Sequence, residues 1–591
     1  MQHIARVDLS SGRISRELLP PDLVEAYLGG RGLGGAMLRR EAPHADPLDS
    51  PLYAFVGPLT GTNFPLSNRL CFVFRSPATR TLAWAVTGGY AAVALKSAGL
   101  DGFVLTGRAP RPSVLVIADG NLTLVETPEL WGRGAIETCT DLTARYGDVR
   151  VLSIGPAGEQ GSPVATVIND KGRASGVRHG VGAVLGGKHI KAIVIHGRQR
   201  IVVKPNDDHA WKALCQRVGE KLRQSPVVSS KTGSMAVHGT PIAVEALGEW
   251  QSLPVRNYRE THIAGYEDVG GKSLTRRVLV ERITCSFCPV RCRRETASSG
   301  RFQFKGEGPD YAQVSSLGTN CAVTDIEAVS YMNYLCYELG LDPVEMGNGL
   351  AVMAEATELG LLEPGLAFGD IDAMIELITE TGVRRGRGGL LWHGASALAR
   401  QLGAPGLAPA VKGITMQNCD PRPEPAWGLL NATETFGSAV HIWSYGPLVY
   451  GLRSVGVEPT VHPGSTPLEI AQAVKQRQDL VAVLDSLTAC TFSSYACTAE
   501  DYAEGLRLCG RPIDADELLA KGEAVFESER RFNLDNGIGP EHDTLPKRFT
   551  HEPVPSGIHA GKVCDLQPLL REYYRLRDWS VAGMDRRSTV A

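Results

Sequence analysis

The spacing of apolar residues changes partway along the chain. Up to about residue 200, short apolar runs alternate with glycine, as in VLVIADGNLTLVE and HIKAIVIHG, and such runs predict strands. Asp119-Gly120 predicts a hairpin turn inside the first run, and Gly197 ends the second. From about residue 206 onward, DIEAVSYMNYLCYEL, PVEMGNGLAVMAEATEL and PLEIAQAVKQRQDLVAVL carry apolar residues at helical spacing. The pattern predicts an α+β protein, with a β-rich N-terminal domain followed by two mainly α-helical domains.

Helix boundaries are marked by capping residues. A cap is followed three positions later by glutamate at Thr324 to Glu327, Asp342 to Glu345 and Thr466 to Glu469. Gly340 predicts the end of the first of these helices. Domain boundaries depend on the change of pattern alone, and we place the domains at 1–205, 206–412 and 413–591.

Composition and charge narrow the class of protein. The 591 residues are 43% apolar and 21% charged, as in ordinary globular proteins, and the formal net charge is -3. Without a clustered basic excess, we expect neither nucleic acid nor a membrane surface as partner. The N-terminus lacks the build of a signal peptide, and no apolar run has the length of a membrane span. We therefore expect a cytoplasmic protein that acts on a small molecule.

Three of the thirteen cysteines stand close together in C-S-F-C-P-V-R-C, at Cys285, Cys288 and Cys292. In a reducing compartment such a group favours a metal site over a disulfide. The spacing brings three thiolates together and leaves a fourth position for a distant ligand, which suits a 4Fe-4S cluster, a zinc ion or, without metal, buried thiols. Candidates for the fourth ligand are Cys321, Cys336, Cys419, Cys490, Cys497 and Cys509. Cys490 is the most interesting, because it directly follows a capped helix.

Many further stretches resemble one family from end to end. They are RVDLSSG, LGGRGLG, GPLTGT, TGGYAAVALKSAGLDGFVLTG, SIGPAGE, INDKGRASGVRHGVGAVLGGKHIKAI, CSFCPVRC, EGPDY, YELGLD, CDPR, LDSLTAC, DTLPKRF and YYRLRDWS. The chain is similar to the tungsten-dependent aldehyde ferredoxin oxidoreductases. The glycine-rich GRASGVRHGVGAVLGG alone would also suggest nucleotide binding, but it lacks G-x-G-x-x-G after a strand.

The resemblance implies two redox centres. It implies a 4Fe-4S cluster on Cys285, Cys288, Cys292 and Cys490, beside a tungsten (or molybdenum) ion held by two pterins. The metal would take two electrons from the substrate, and the cluster would pass them singly to a ferredoxin or to an iron–sulfur or flavin partner subunit.

The resemblance also implies a cofactor cradle. By matching positions, its members are Arg69, Val86, Gly88, Arg173, Ala174, Gly176, Leu341, Asp342 and Asp485. Arginine suits the pterin phosphates because its planar fork donates two parallel hydrogen bonds. Val86 and Ala174 would act through their carbonyls on a magnesium ion that bridges the phosphates.

The sequence departs from the family in both pterin motifs. The family pattern D-x-x-G-L-[CD] occurs here as Tyr337-Glu-Leu-Gly-Leu-Asp342 and as Asp485-Ser-Leu-Thr-Ala-Cys490. A phenol at Tyr337 can hydrogen-bond a pterin but supplies no carboxylate, so one pterin would be held differently. We still expect both pterins.

Further departures affect the reaction. The glutamate that family members place after E-G-P-E-Y is replaced by Ala312, which cannot transfer a proton. Asp310 occupies the position of another family acid, so we expect its side chain to point elsewhere. The family's other acid–base candidate is kept as His441, which we assign to the substrate pocket as the catalytic residue. Cys321 is either an inert buried thiol or a group that approaches the metal.

Three functions follow from these features. Oxidation of an aldehyde to a carboxylic acid leads, because the family carries it out. The alternatives are a low-potential reductase of an aromatic or other activated substrate, suggested by Ala312, and a cofactor-depleted electron-transfer or scaffold subunit, suggested by the altered motifs. Where some members bind an interface metal, this chain has Tyr331 and Tyr334, so a homodimer would form without that ion.

Overall fold

The N-terminal third of the chain is built from two six-stranded sheets. The computed structural model describes residues 3–169, 178–199, 203, 205–438 and 440–580, and the backbone of 173–174. In spatial order, the strands of the first sheet are Arg13–Leu18, His3–Asp8, Gly102–Thr106, Leu52–Phe55, Leu70–Arg75 and Leu82–Thr87. Those of the second are Arg173–Ala174, Ile168–Asn169, Arg150–Ser153, Ile190–His196, Ser113–Ala118 and Asn121–Glu126. Each sheet contains one parallel pair, and its other pairs are antiparallel.

The hairpin predicted at Asp119-Gly120 is confirmed. The strands on its two sides pair antiparallel, with Ala118 opposite Asn121. Both turn residues have positive φ, 44° at Asp119 and 87° at Gly120. A two-residue turn of this kind matches the twist of the strands, and Asp-Gly tolerates the backbone that it requires.

Helices surround the sheets and form most of the remaining chain. In the N-terminal region they are Pro21–Tyr27, Gly30–Glu41, Ala91–Ser97, Ala135–Tyr146, Pro156–Glu159 and Val181–Gly187. The later ones are Asp208–Gln224, Ser234–His238, Ala243–Glu249, Gly271–Arg277, Tyr311–Leu317, Ile326–Leu339, Pro343–Glu358, Ile371–Gly382, Ala395–Gln401, Pro425–Thr433, Pro467–Ser486, Ala499–Leu508, Ala515–Asp535, Lys547–Thr550 and Leu566–Arg577. The predicted α+β class, β-rich first and mainly helical afterwards, is confirmed. The boundaries near 205 and 412 stay predictions.

A small sheet interrupts the helical part. Strands Leu279–Ile283, Arg293–Ser299 and Gln303–Glu307 form an antiparallel meander, and a two-stranded ribbon joins Ala410–Val411 to Ile414–Thr415. The meander escaped the sequence reasoning because its strands are short and charged, without a clean alternation of apolar residues. Its first hairpin matters for function, since the loop between Ile283 and Arg293 is the cysteine loop.

Two of the three predicted helix caps are confirmed. Asp342 accepts hydrogen bonds from the N–H groups of Val344 and Glu345, and Thr466 and Glu469 form a capping box. The cap predicted at Thr324 is wrong. Asp325 caps that helix instead, because its carboxylate already accepts from the N–H of Glu327 at 3.0 Å.

Helix Gly30–Glu41 joins the first sheet to the C-terminal helices. It packs against strand Leu70–Arg75 and against helices Pro467–Ser486 and Ala515–Asp535. A Cβ added to Gly30 would lie 2.3 Å from the carbonyl oxygen of Asp485, so only glycine permits this close contact. The LGGRGLG motif thereby brings Arg31 next to the end of helix Pro467–Ser486. In the described part of the chain, no helix combines the length and apolarity needed to cross a bilayer.

Candidate active site

One cavity brings together most of the residues that the sequence singled out. Its volume is about 120 Å³. Its walls are Leu66, Asn68, Arg69, Trp84, Val86, Gly88, Thr240, Cys285, Ser286, Cys288, Cys292, Asp310, Tyr311, Ala312, Asn418, Phe436, Val440, His441, Trp443, Ser444, Tyr445, Val481, Asp485, Cys490, Thr491 and Phe492. The lining residues come from three separate parts of the chain, 66–88, 240–312 and 418–492, so the cavity forms only in the folded chain.

The cysteine loop is held by short hydrogen bonds between its own groups. The N–H of Cys288 donates to the carbonyl of Cys285 at 3.2 Å, and the hydroxyl of Thr284 donates to the carbonyl of Cys288 at 2.6 Å. Phe287 and Arg291 have positive φ, 52° and 56°, which curls the loop tightly. These turns direct the three thiols toward one side.

The fourth cysteine reaches the same wall from the end of a helix. Helix Pro467–Ser486 stops just before Thr488, whose φ of 51° turns the chain back. The N–H of Cys490 then donates to the carbonyl of Leu66 at 2.7 Å, and the Thr488 and Thr60 hydroxyls lie 3.1 Å apart. The GPLTGT loop therefore fixes the position of Cys490.

The four thiols influence one another. Burial raises the pKa of the Cys288 thiol well above its ordinary value, and the neighbouring thiols Cys285, Cys292 and Cys490 raise it further. Ionisation of these neighbouring thiols is therefore unfavourable unless a positively charged partner is present. Within the described ranges, no three histidine, cysteine or acidic side chains approach closely enough to hold a single metal ion. A Cβ at Gly88 would lie 2.8 Å from Sγ of Cys285, so glycine there keeps the space beside the thiol open.

The end of hairpin Leu70–Arg75 and Leu82–Thr87 forms a polar wall of the cavity. Arg69, Val86 and Gly88 lie there, and the N–H of Arg69 donates to the carbonyl of Thr488 at 3.1 Å. Nearby Asn68 is buried, yet its Nδ2 has no hydrogen-bond partner among the described residues. A buried amide without an acceptor costs free energy, so this wall suits a ligand with acceptor groups.

Asp485 joins this wall to a buried ion group. Arg31 lies with its guanidinium 3.5 Å above the ring of Trp84, and the Trp84 indole N–H donates to Asp485 at 3.2 Å. Oδ2 of Asp485 lies 3.5 Å from Nη1 of Arg31. Burial raises the pKa of Asp485, and Arg31 partly offsets that rise.

Arg31 also faces two more carboxylates. It donates to both oxygens of Glu529, at 2.7 and 2.8 Å, and its Nη2 lies 3.8 Å from Glu434. We call Arg31, Glu434, Asp485 and Glu529 the Arg31 cluster. The sequence analysis identified LGGRGLG as a stretch that matches the family, but it did not predict Arg31, Trp84 or Glu434 as residues of the site. A charged residue inside a run of helical glycines was the available signal.

The other family motif lies elsewhere. Leu341 pairs with Ala165 in an isolated bridge, and Asp342 is bound by Arg178 at 2.7 Å. Arg178 also contacts Glu345 and donates to the carbonyl of Thr415 at 2.6 Å. Neither Leu341 nor Asp342 is among the residues that line the cavity.

The remaining cradle positions fall on the second sheet. The backbone of Arg173–Ala174 pairs with Ile168–Asn169, and the side chain of Asn169 donates to the carbonyl of Gly88 at 3.2 Å. This contact places the strand beside the cavity wall. Gly176 lies outside the described residues.

The acid–base candidates differ in their surroundings. His441 and Ala312 both line the cavity. Asp310 also lines it, although the sequence suggested that its side chain points elsewhere, and it accepts a hydrogen bond from Thr240 at 3.0 Å. The Cys321 thiol donates to the carbonyls of Ser316 and Gly347, both at 3.2 Å, and it does not line the cavity.

Two family models match this chain. The model of the aldehyde ferredoxin oxidoreductase N-terminal domain matches residues 4–197, and that of domains 2 and 3 matches residues 213–591. The tungsten-containing aldehyde ferredoxin oxidoreductase of Pyrococcus horikoshii is 33% identical over 98% of this chain and 96% of the relative. The WOR-like subunit of an aliphatic sulfonate oxidoreductase from Pyrococcus furiosus is 26% identical over 96% of this chain and 92% of the relative.

A solved structure shares the fold. A chain from the active site complex BamBC of benzoyl coenzyme A reductase, in complex with 1,5-dienoyl-CoA, aligns with a TM-score of 0.84 at 22% identity. The alignment covers 100% of this chain and 96% of that one. With two family models that together span nearly all of its length, the chain belongs to the aldehyde ferredoxin oxidoreductase family of tungsten-containing oxidoreductases.

Proposed function

We propose that this protein oxidises an aldehyde to a carboxylic acid, with a tungsten ion on two pterins and a 4Fe-4S cluster, and passes the electrons to a ferredoxin or a partner subunit. The observation that carries the proposal is one cavity lined at once by four cysteines, by Arg69 and Asp485, and by His441. The residues that we propose as ligands of both redox centres and as the acid–base group thus line the same space.

The residues present fit these groups. Cys285, Cys288, Cys292 and Cys490 would hold the cluster, because four converging thiols match its ligand set. When bound, the tungsten centre and the cluster supply the two-electron and one-electron steps of the oxidation.

The cradle residues supply complementary contacts. Arg69 and the unpartnered amide of Asn68 offer donors to pterin phosphates and rings, and Asp485 offers an acceptor. The carbonyls of Val86 and Ala174 remain our proposal for the magnesium ligands. For the second pterin we propose contacts from Arg173, Gly176, Leu341 and Asp342, as the family resemblance implies.

The chain's own side chains would orient the substrate and move protons. His441 lies in the cavity wall and can donate a hydrogen bond to a carbonyl oxygen. Asp310 is the acid nearest in sequence to Ala312, the position where the family has a glutamate. Its carboxylate accepts a hydrogen bond from the hydroxyl of Thr240. The aromatic side chains Tyr311, Trp443 and Phe492 add apolar surface to the wall, which limits water there.

A second candidate reaction is the low-potential reduction of an aromatic or other activated substrate. Two observations favour it: Ala312 supplies no acid in the cavity, and the wall carries the flat rings of Phe436, Trp443 and Phe492. The relative of the same fold that was solved with 1,5-dienoyl-CoA acts on such a compound.

Electrons would leave through the outer face of the cysteine loop. Cys285, Ser286 and Cys288 line both the cavity and a surface groove, where the side chain of Phe287 is 54% exposed. The exposed Arg291 donates to the carbonyl of Arg282, and no carboxylate among the described residues pairs with its charge. Basic residues beside an exposed aromatic ring suit a small acidic iron–sulfur protein.

The first experiment is metal analysis and turnover of the protein purified without air. We expect about one tungsten and about four irons per chain, with aldehyde-dependent reduction of a viologen dye. Metals without aldehyde turnover, together with oxidation of a reduced dye by an aromatic thioester, would favour the second candidate. Iron without tungsten, from a host that makes the cofactor, would overturn both.

Electron exit is tested by charge reversal. Arg291→Glu should slow ferredoxin reduction while dye reduction in the cavity stays unchanged, and added salt should shrink the difference. Arg571→Glu, on the exposed face of helix Leu566–Arg577, is the matched control. Equal effects of the two variants would contradict this exit face.

A further inference from the structure

The Arg31 cluster holds more negative than positive charge. Three buried carboxylates, Glu434, Asp485 and Glu529, surround the single guanidinium of Arg31. Buried charges without partners are costly, so such a group keeps a proton on one of its acids at neutral pH. The contacts of the three acids indicate which of them holds this proton.

Glu434 is the acid with the weakest partners. Glu529 receives two hydrogen bonds from Arg31 and one from Thr435 at 2.6 Å. Asp485 receives the indole N–H of Trp84. Oε1 of Glu434 has no hydrogen-bond partner in the described part of the chain and lies 3.8 Å from Arg31. Because its contacts are the longest of the three, we assign the proton to Glu434.

A residue of the cavity wall contacts Glu434. Tyr445 lines the cavity, and its hydroxyl donates to Oε2 of Glu434 across 3.4 Å. On the other side, the amide of Gln478 donates to the same oxygen at 3.3 Å. The Gln478 carbonyl in turn accepts from the hydroxyl of Tyr573 at 2.5 Å. Because an amide does not readily pass a proton on, the open side of Glu434 is the one that faces the cavity.

We propose that Tyr445 and Glu434 form a proton-accepting pair for the reaction in the cavity, in place of the carboxylate that Ala312 removes. Conversion of an aldehyde and water to a carboxylic acid releases two protons and two electrons, and the electrons go to the ferredoxin or partner subunit. One proton binds to the oxygen of Tyr445 as the Tyr445 hydroxyl proton moves to Oε2 of Glu434. At each oxygen one O–H bond changes, and no electrons move in this step. The inference rests on the proposed direction of the reaction.

The charged and titratable groups that face Glu434 come from every element packed around it. They are Arg31, Glu529, Asp485, Lys412, Tyr445 and Tyr573. Burial is the largest influence and Arg31 opposes it, so that the pKa of Glu434 is raised to about 7. Glu434 is thus able to accept a proton above about pH 7 and already holds one below it. Oxidation should therefore become faster as the pH rises through this value.

The pH profile of kcat/KM for the oxidation tests the pair. In the native enzyme we expect a tenfold rise between about pH 6 and 8. Glu434→Gln and Tyr445→Phe should both abolish the rise and lower the rate at pH 8 about tenfold. Tyr573→Phe removes a hydroxyl from the same polar network on the side away from the cavity, and its profile should keep the rise. A rise that persists in Glu434→Gln, or a uniform loss at every pH in both variants, would overturn the proposal.

Infrared difference spectroscopy of the purified holoenzyme between pH 6 and 8 gives a readout that needs no turnover. We expect a band of a buried protonated carboxyl that disappears in Glu434→Gln and shifts in Tyr445→Phe, but is unchanged in Tyr573→Phe. If the band behaves in this way while no aldehyde is oxidised, the pair stands and the proposed reaction fails. Absence of the band in the native enzyme overturns the pair, whatever the reaction.

Discussion

The two copies of the family's pterin pattern are used differently by this chain. In Asp485–Cys490, the acid and the cysteine both line the cavity, and the acid shares Arg31 with two other carboxylates. In the segment from Tyr337 to Asp342, Tyr337 packs with Ala135 and Ile168, and Asp342 caps a helix. Asp485–Cys490 lies at the cavity wall, while the segment from Tyr337 to Asp342 joins elements of the fold.

The difference lies in what each acid is bound to. Asp342 accepts hydrogen bonds from two backbone N–H groups and from Arg178, so that most, but not all, of its acceptor positions are occupied within the protein. Asp485 accepts from Trp84 and lies at a looser 3.5 Å from Arg31, within a group that has surplus negative charge. A similar sequence pattern therefore does not imply a similar role, because the partners decide it.

The largest expected effect comes from the cysteine at the end of Asp485–Cys490. Cys490→Ser should remove the fourth cluster ligand, so that iron falls from about four per chain toward zero and the cluster's visible absorption is lost. Cys336→Ser is the matched control. It changes a buried thiol next to the segment from Tyr337 to Asp342, and this thiol is not among the residues that line the cavity. Full iron and an unchanged spectrum in Cys490→Ser would refute the assignment of this ligand.

Replacing the two acids sharpens the comparison. Asp342→Ala removes a helix cap and a buried partner of Arg178, and should lower the free energy of unfolding by about 3–5 kcal/mol. Asp485→Ala removes one of three carboxylates around Arg31, and should cost less than about 2 kcal/mol while reducing bound tungsten. Denaturant unfolding and metal analysis of both variants check this. Equal stability losses with equal tungsten contents would erase the distinction between the copies.

A third change alters the cavity wall to which Asp485 and Cys490 also belong. Ala312→Glu should increase aldehyde oxidation about tenfold or more, because a carboxylate in the wall can take the substrate's proton. Ala312→Gln adds nearly the same volume without an acid and should give no increase. Measured with the viologen dye, a similar rise in both variants would attribute the gain to shape instead of proton transfer.

The sequence predicted the class of fold and many residues of the cavity wall, because both leave local signals. Apolar spacing identified the long helices, and the turn at Asp119 was found from its residue type alone. The role of Asp342 was not predictable, since it depends on Arg178, which is distant along the chain. The Arg31 cluster likewise joins residues about 400 to 500 positions apart, and the charged strands around the cysteine loop lack a periodic pattern.

The smallest expected effect, that of Thr466→Ala, distinguishes the stability contributed by a helix cap from that contributed by an ion pair. Thr466 starts the helix that ends at Ser486, and the capping box that it forms with Glu469 is exposed to solvent. Thr466→Ala should therefore cost about 1 kcal/mol, well below Asp342→Ala, and should leave iron and tungsten contents unchanged. Thr466→Ser keeps the hydroxyl and should restore the native stability in denaturant unfolding. If Thr466→Ala instead cost as much as Asp342→Ala, capping alone would explain the role of Asp342, and the contribution of Arg178 would be unnecessary.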